Sequence, residues 1–160
     1  MSRIAKENYY LDIAQTVTER STCIRRCYGA IIVQNDEIVA TGYNGAPRGR
    51  VNCCELCRCI REELAIPRGQ RYELCRSVHA EANAIISAGR NKCIGATMYL
   101  VGIDAKTGDL LGDATSCSMC RRTIINAGIE KVIIRRTPTQ FDTVFVQEWI
   151  DNDDSMVGLE

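Results

Sequence analysis

Ten cysteines accompany a single histidine, His79, in this 160-residue chain, and where those cysteines fall limits what can hold the fold together. Cys53, Cys54, Cys57 and Cys59 crowd into seven residues, and Cys117 and Cys120 form a Cys-x-x-Cys. Ten in 160 is about 6%, below the roughly 8–10% of a disulfide scaffold. The opening residues carry Arg3, Lys6 and Glu7 and no apolar run, so no secretory signal is expected, and a reducing, cytoplasmic setting is. Cysteines there serve more often as metal ligands, catalytic groups or small buried apolar side chains than as bridges.

Composition narrows the function classes. Hydrophobic residues at 46% and charged residues at 25% are ordinary globular usage. Twenty Lys+Arg balance twenty Asp+Glu, so nothing global draws the chain to nucleic acid or an anionic membrane. No apolar stretch approaches the roughly 20 residues that span a bilayer. One domain is expected over residues 1–150, with an acidic, frayed tail over 151–160.

The pattern along the chain predicts α-β-β-loop-α-β-α-β. Ile4, Leu11, Ala14 and Val17 share one side of a helix over 4–20. Residues 28–33 and 37–43 read as a hairpin about Asn35-Asp36. Residues 44–76 carry Gly45, Pro47, Gly49, Pro67 and Gly69 through a polar, cysteine-dense stretch, and a loop that long is functional or held by something other than a core. Residues 79–88 predict a helix stopped by Gly89, 97–101 a strand, 117–127 a helix stopped by Gly128, and 131–135 a strand. One further element is expected within 141–150. Strands joined through helices imply parallel neighbours, and the leading hairpin makes the sheet mixed.

The chemistry concentrates at two helix starts. His79-Ala80-Glu81 opens one and Cys117-Ser118-Met119-Cys120 the other. Together they offer one imidazole and two thiolates, the donor count of a catalytic zinc rather than a closed structural one. Helix N-termini lower thiol pKa and favour the thiolates. Two thiolates neutralise the dication and leave its water less acidic, so a base must take the proton. Glu81, two residues from His79, suits that role. His-x-Glu followed by Cys-x-x-Cys is the zinc-deaminase signature.

From about Arg20 to Arg135 the chain resembles the cytidine and deoxycytidylate deaminase family, most closely its deoxycytidylate (dCMP) deaminases. The resemblance rests on residues 21–26 (STCIRR), 41–49 (TGYNGAPRG), 51–54 (VNCC), 73–76 (ELCR), 79–85 (HAEANAI) and 124–129 (IINAGI). Ser116 stands where the family carries proline before the first cysteine; serine could instead cap the helix. The resemblance implies an α/β/α sandwich about a mixed, roughly five-stranded sheet, and water activated by zinc attacking C4 of the cytosine of dCMP. Glu81 would take the water's proton, deliver it to N3, and later help the amino group leave as ammonia. The Ala80 N–H would hold the O2 carbonyl and Asn44 the sugar hydroxyl, giving dUMP for thymidylate synthesis. For the 5′-phosphate Arg25, Arg26 and Arg90 are candidates, Arg26 foremost.

The resemblance also implies a second, structural zinc on Cys23, Cys53, Cys59 and Cys75. Cys54 and Cys57 are able to replace Cys53 and Cys59, while Cys27 and Cys93 suit buried apolar positions. An effector site for dCTP or dTTP, with Mg2+ accompanying the triphosphate, is implied at Asn44, Gly45, Pro47 and Gly49, in a homohexamer. The competing readings are a deaminase of another cytosine nucleotide or nucleoside, of tRNA adenosine or of a riboflavin precursor. Outside catalysis they are a zinc-stabilised nucleotide-binding regulator, which has no need of Glu81, and a thiol sensor, which needs Cys117 and Cys120 free of metal.

Overall fold

The structure, a computed structural model, describes residues 1–153. Five strands form one mixed sheet: β1 (Arg26–Gln34), β2 (Glu37–Tyr43), β3 (Thr97–Asp104), β4 (Lys131–Arg135) and β5 (Phe141–Phe145), in the order β2-β1-β3-β4-β5. The β1–β2 hairpin turns through Asn35 and Asp36, both left-handed at φ 51° and 64°. Asn and Asp tolerate that conformation, and a turn with both central residues left-handed matches the twist of the strands it joins.

Among the described residues, only β3 and β4 are parallel neighbours. The chain leaves β2, crosses through a helix and returns as β3, but β1 lies between them and pairs antiparallel with both. The expectation of parallel neighbours therefore fails at β2 and β3, because the hairpin had already occupied the inner edge of β2. The element expected within 141–150 is two: β5, antiparallel to β4, and a short helix over Val146–Asp151. Asp151 thus ends a helix; of the tail expected to fray, residues 154–160 lie outside the described residues.

Helices cover both faces of the sheet. Helix α1 (Lys6–Thr18) sets Tyr10, Leu11 and Ala14 against Ile31, Val33, Tyr99 and Val101. On the other face α4 (Ala80–Ala88) and α6 (Ser118–Ala127) set Ala80, Ala84 and Ile124 against Ala30, Ile32, Met98 and Leu100. Side chains alternate along a strand, so covering both faces demands unbroken apolar runs such as 30–33 and 98–101. Two glycines set how closely the layers approach. A Cβ on Gly29 would lie 2.2 Å from Ala14 O, and one on Gly42 would lie 2.4 Å from both Ala80 O and Ala84 N.

The 44–76 stretch carries short helices α2 (Cys53–Leu56) and α3 (Ile60–Glu63) and a 3-10 turn at Tyr72–Leu74. Glu55 closes the start of α2 by accepting from the Asn52 side-chain amide at 2.6 Å. Arg61 is its anchor: 7% exposed, it donates to the carbonyls of Pro67 and Gln70 at 2.9 and 2.8 Å and stacks over Tyr72 at 4.4 Å. A buried guanidinium whose Nη2 donates to two backbone carbonyls ties together chain that has little apolar core.

Candidate metal centre and active-site pocket

Two helix starts meet at the site in matching backbone geometry. His79 is the N-cap of α4 at φ −71°, ψ 154°, and Cys117 the N-cap of α6 at φ −68°, ψ 165°. The Cys117 Sγ accepts from the Cys120 amide at 3.4 Å, so the ligand thiol itself caps α6. Ser116 does not cap. It is fully buried one residue earlier, and its hydroxyl has no hydrogen-bond partner among the described residues.

His79 Nδ1 lies 3.4 Å from Cys117 Sγ and 3.3 Å from Cys120 Sγ, and all three donors fall within 4.8 Å of one another. Tetrahedral zinc with bonds of about 2.0–2.3 Å needs donors roughly 3.3–3.8 Å apart, so these residues fit zinc. The protein groups by themselves share charge unevenly. The hydrogen bond from Cys120, seconded by that to His79, lowers the Cys117 thiol to about 4. Burial disfavours a charged His79, yet hydrogen bonds to Cys117 and Cys75 carry it up to about 10. Cys120 is pushed up by its bond to the Cys117 thiolate and by burial. Such a cluster holds protons where a dication would replace them.

Glu81, 4% exposed on the first turn of α4, shares a cavity of about 490 Å³ with the donors. Burial raises its carboxyl above the ordinary 4.5, opposed first by the His79 charge and last by a hydrogen bond from the Cys120 thiol. Ala80, first residue of α4, lines the same cavity with its N–H outside the intrahelical ladder.

Asn44 also lines the cavity, but it is a tie first. Its Oδ1 accepts from Ser21 Oγ at 2.6 Å and Tyr28 N at 2.8 Å, and its Nδ2 donates to Arg26 O at 2.8 Å. One amide N–H remains for a ligand. Arg25 and Arg26 line the cavity; Arg25 is committed to Glu62 at 3.0 Å, while Arg26 Nη1 is buried without a hydrogen-bond partner among the described residues. Arg90 does not belong. It donates to Asn126 O at 3.1 Å beside Arg122 and Thr123, in a separate depression, because Gly89 turns the chain away after α4.

Sequence reasoning missed Tyr28, Arg61, Arg68, Tyr72 and Arg121, which all line the cavity. Tyr72 meets the His79 ring edge-on at 5.1 Å. No residue type in a loop signals which side chains will fold back over a site. Of the remaining cysteines, Cys54 and Cys57 are exposed and Cys93 is buried, while Cys27 is half-buried rather than a core residue. Cys53 is buried and its thiol is pushed up, chiefly by burial and then by Cys23, Cys75 and Cys59 around it. Among the described residues, no three of those four thiols close to within 4.8 Å of one another. In the proposed effector turn, Gly45 N donates to Val78 O at 3.2 Å, so that amide is committed within the protein.

A mixed α/β sheet carrying one imidazole and two thiols at paired helix starts, with a buried carboxyl beside them, defines a zinc-dependent hydrolase. Residues 4–136 match the cytidine and deoxycytidylate deaminase zinc-binding region, and the chain belongs to that family. It is 36% identical over 137 residues to the deoxycytidylate deaminase of Mycobacterium phage D29, covering 83% of this chain and 96% of that protein. It is 35% identical over 127 residues to the deoxycytidylate deaminase of Schizosaccharomyces pombe, where the match covers 79% of this chain but only 36% of the longer relative. Among solved structures it is similar to the dCMP deaminase of cyanophage S-TIM5 in complex with dCMP and dUMP, with TM-score 0.56, 27% identity, and coverage of 83% and 84% of the two chains. Among the described residues no helix is long and apolar enough to cross a membrane.

Proposed function

We propose that the chain deaminates dCMP hydrolytically to dUMP and ammonia, with zinc on His79, Cys117 and Cys120 and with Glu81 as the proton carrier. The observation that carries this reading is the buried Glu81 carboxyl sharing one cavity with the three-donor set and with several arginines. The names of the phage and yeast relatives and the dCMP and dUMP of the cyanophage structure support the substrate.

Zinc bound there supplies Lewis acidity that makes water nucleophilic near neutral pH. Two thiolate donors temper that acidity, so the Glu81 carboxylate takes up the water proton. Burial raises its proton affinity, which lets it hold the proton out of solvent and pass it to N3 of the ring. The same carboxyl then serves the departing amino nitrogen; water oxygen replaces nitrogen at C4. The Ala80 N–H orients the O2 carbonyl, and the remaining Asn44 N–H takes a sugar hydroxyl. Arg26 meets the phosphate. Zinc-loaded protein should release ammonia from dCMP well ahead of dCTP, deoxycytidine and cytidine; preference for any other of these moves the substrate assignment, and no turnover by fully loaded protein favours a binding role.

A second zinc on Cys23, Cys53, Cys59 and Cys75 belongs to the same proposal. Its support is the burial of Cys53 and the electrostatic effect that Cys23, Cys75 and Cys59 each have on it, with Cys54 and Cys57 turned to solvent. Metal analysis should return two zinc ions per chain, and chelation should expose residues 45–76 to protease, since coordination contributes folding free energy directly. One ion per chain, with cleavage unchanged by chelator, would remove the second site. For hexamer formation the support is the 72% exposure of Ile86 on α4; for a dCTP or dTTP site with Mg2+, it is confined to the exposed Arg48 and Gly49 of the 44–49 turn.

A further inference from the structure

Two arginines from separate parts of the chain line the cavity, and an aspartate from a third part pairs with one of them. Arg26 comes from β1, Arg68 from the cysteine-rich stretch, and Asp113 from the loop that leads to α6. Arg68 Nη1 donates to Asp113 Oδ2, and its Nη2 donates to the Asp113 carbonyl at 3.2 Å. Arg26 Nη1 stands 4.0 Å from Asp113 Oδ1, an ion pair too long for a hydrogen bond, and this buried atom has no hydrogen-bond partner among the described residues.

The loop holds Asp113 in place from both sides. Arg136 Nη1 donates to the carbonyls of Gly112 and Ala114, at 3.1 and 2.5 Å. The Arg68 side is held as well, since Arg61 binds the carbonyls of Pro67 and Gln70 on either side of Arg68. A carboxylate is thus presented to two guanidinium groups and hydrogen-bonds only that of Arg68. A phosphate has more acceptor oxygens and more charge than a carboxylate, and guanidinium forks favour it. Arg25 is not part of the arrangement, being paired with Glu62.

We infer that Arg26 and Arg68 form the seat for the substrate's 5′-phosphate, and that the Asp113 carboxylate occupies this seat as an internal competitor which the phosphate displaces. The inference rests on the proposed nucleotide substrate and adds to it the residues that discriminate nucleotide from nucleoside. A neutral sugar hydroxyl has no need to displace the carboxylate, so Asp113 weighs only against the phosphate, and the discrimination comes from the reward that Arg26 and Arg68 give the phosphate over that cost.

The test is the ratio of kcat/KM for dCMP to that for deoxycytidine, measured on zinc-loaded wild type, Arg68→Ala and Asp113→Asn. Arg68→Ala should lower the ratio by at least about tenfold, the weight of a charge-assisted hydrogen bond. Asp113→Asn should raise kcat/KM for dCMP about threefold, through KM rather than kcat, because the competitor has lost its charge. General damage would lower both substrates together and leave the ratio unchanged, which overturns the seat. A fall in dCMP efficiency with Asp113→Asn overturns the competitor, since Asp113 would then be positioning the arginines. If wild type prefers dCMP and Arg68→Ala does too, the seat fails while the substrate stands. If wild type shows no preference for dCMP, the substrate reading fails and the seat with it.

Discussion

Glu81→Gln is expected to lower dCMP turnover by about 10²- to 10⁴-fold, the range a positioned general acid–base contributes, while zinc content stays at the wild-type level. The glutamine amide keeps the shape and part of the hydrogen bonding of the carboxyl, but it cannot accept a proton and return it. Because Glu81 is not one of the three metal donors, zinc retention separates a lost proton carrier from a lost site. A variant that kept more than a tenth of wild-type turnover would assign the proton to another group. The same substitution has a stability consequence with a defined sign. Burial raises the Glu81 carboxyl above its ordinary 4.5, so the folded protein binds this proton more tightly than the unfolded chain. Native stability is therefore penalised as pH rises from about 4.5 upward through the raised value, and the penalty is absent below. In metal-stripped protein, Glu81→Gln should melt above wild type at neutral pH, with the difference closing toward pH 4. Thermal melts across that range check it; a gap that widened on acidification would contradict the burial argument.

Gly42→Ala is expected to destabilise the fold by about 3 kcal/mol, at the upper end for overpacking. The added Cβ would stand 2.4 Å from two backbone atoms, Ala80 O and Ala84 N, and backbone within a helix cannot swing aside as a side-chain tip can. Relief requires α4 to rise off β2, and α4 carries Ala80 and Glu81 with His79 at its start. Loss of activity should therefore accompany the loss of stability even at temperatures where the variant stays folded. Chemical denaturation measures the first and dCMP turnover the second. An alanine variant within about 0.5 kcal/mol of wild type, with full activity, would mean that the contact between α4 and β2 is looser than the geometry requires.

The catalytic cluster was legible in the sequence because its spacing reports local geometry. A histidine and an acid two residues apart at one helix start, and two cysteines three apart at another, keep their relation to each other wherever the helices go. The strands were legible for a similar reason, since a sheet covered on both faces requires unbroken apolar runs. The 44–76 stretch read only as long, polar and metal-bearing, because short helices such as Cys53–Leu56 and Ile60–Glu63 carry too few turns to show a period. Arg90 was chosen for its charge and its place after the catalytic helix, and the turn at Gly89 sent it elsewhere.

By itself, then, the sequence determined the α/β class, and the imidazole, two thiols and carboxyl that the fold brings to one cavity, since each rests on periodicity or on spacing within a helical turn. Tertiary structure decided which arginines face the cavity, which thiols gather about Cys53, and that Asp113 meets Arg68 across 45 residues of chain. Those pairings depend on where loops are pinned, by Arg61 to the carbonyls of Pro67 and Gln70 and by Arg136 to those of Gly112 and Ala114. Contacts of that kind close over long separations with no repeating pattern, so no local run of residues encodes them.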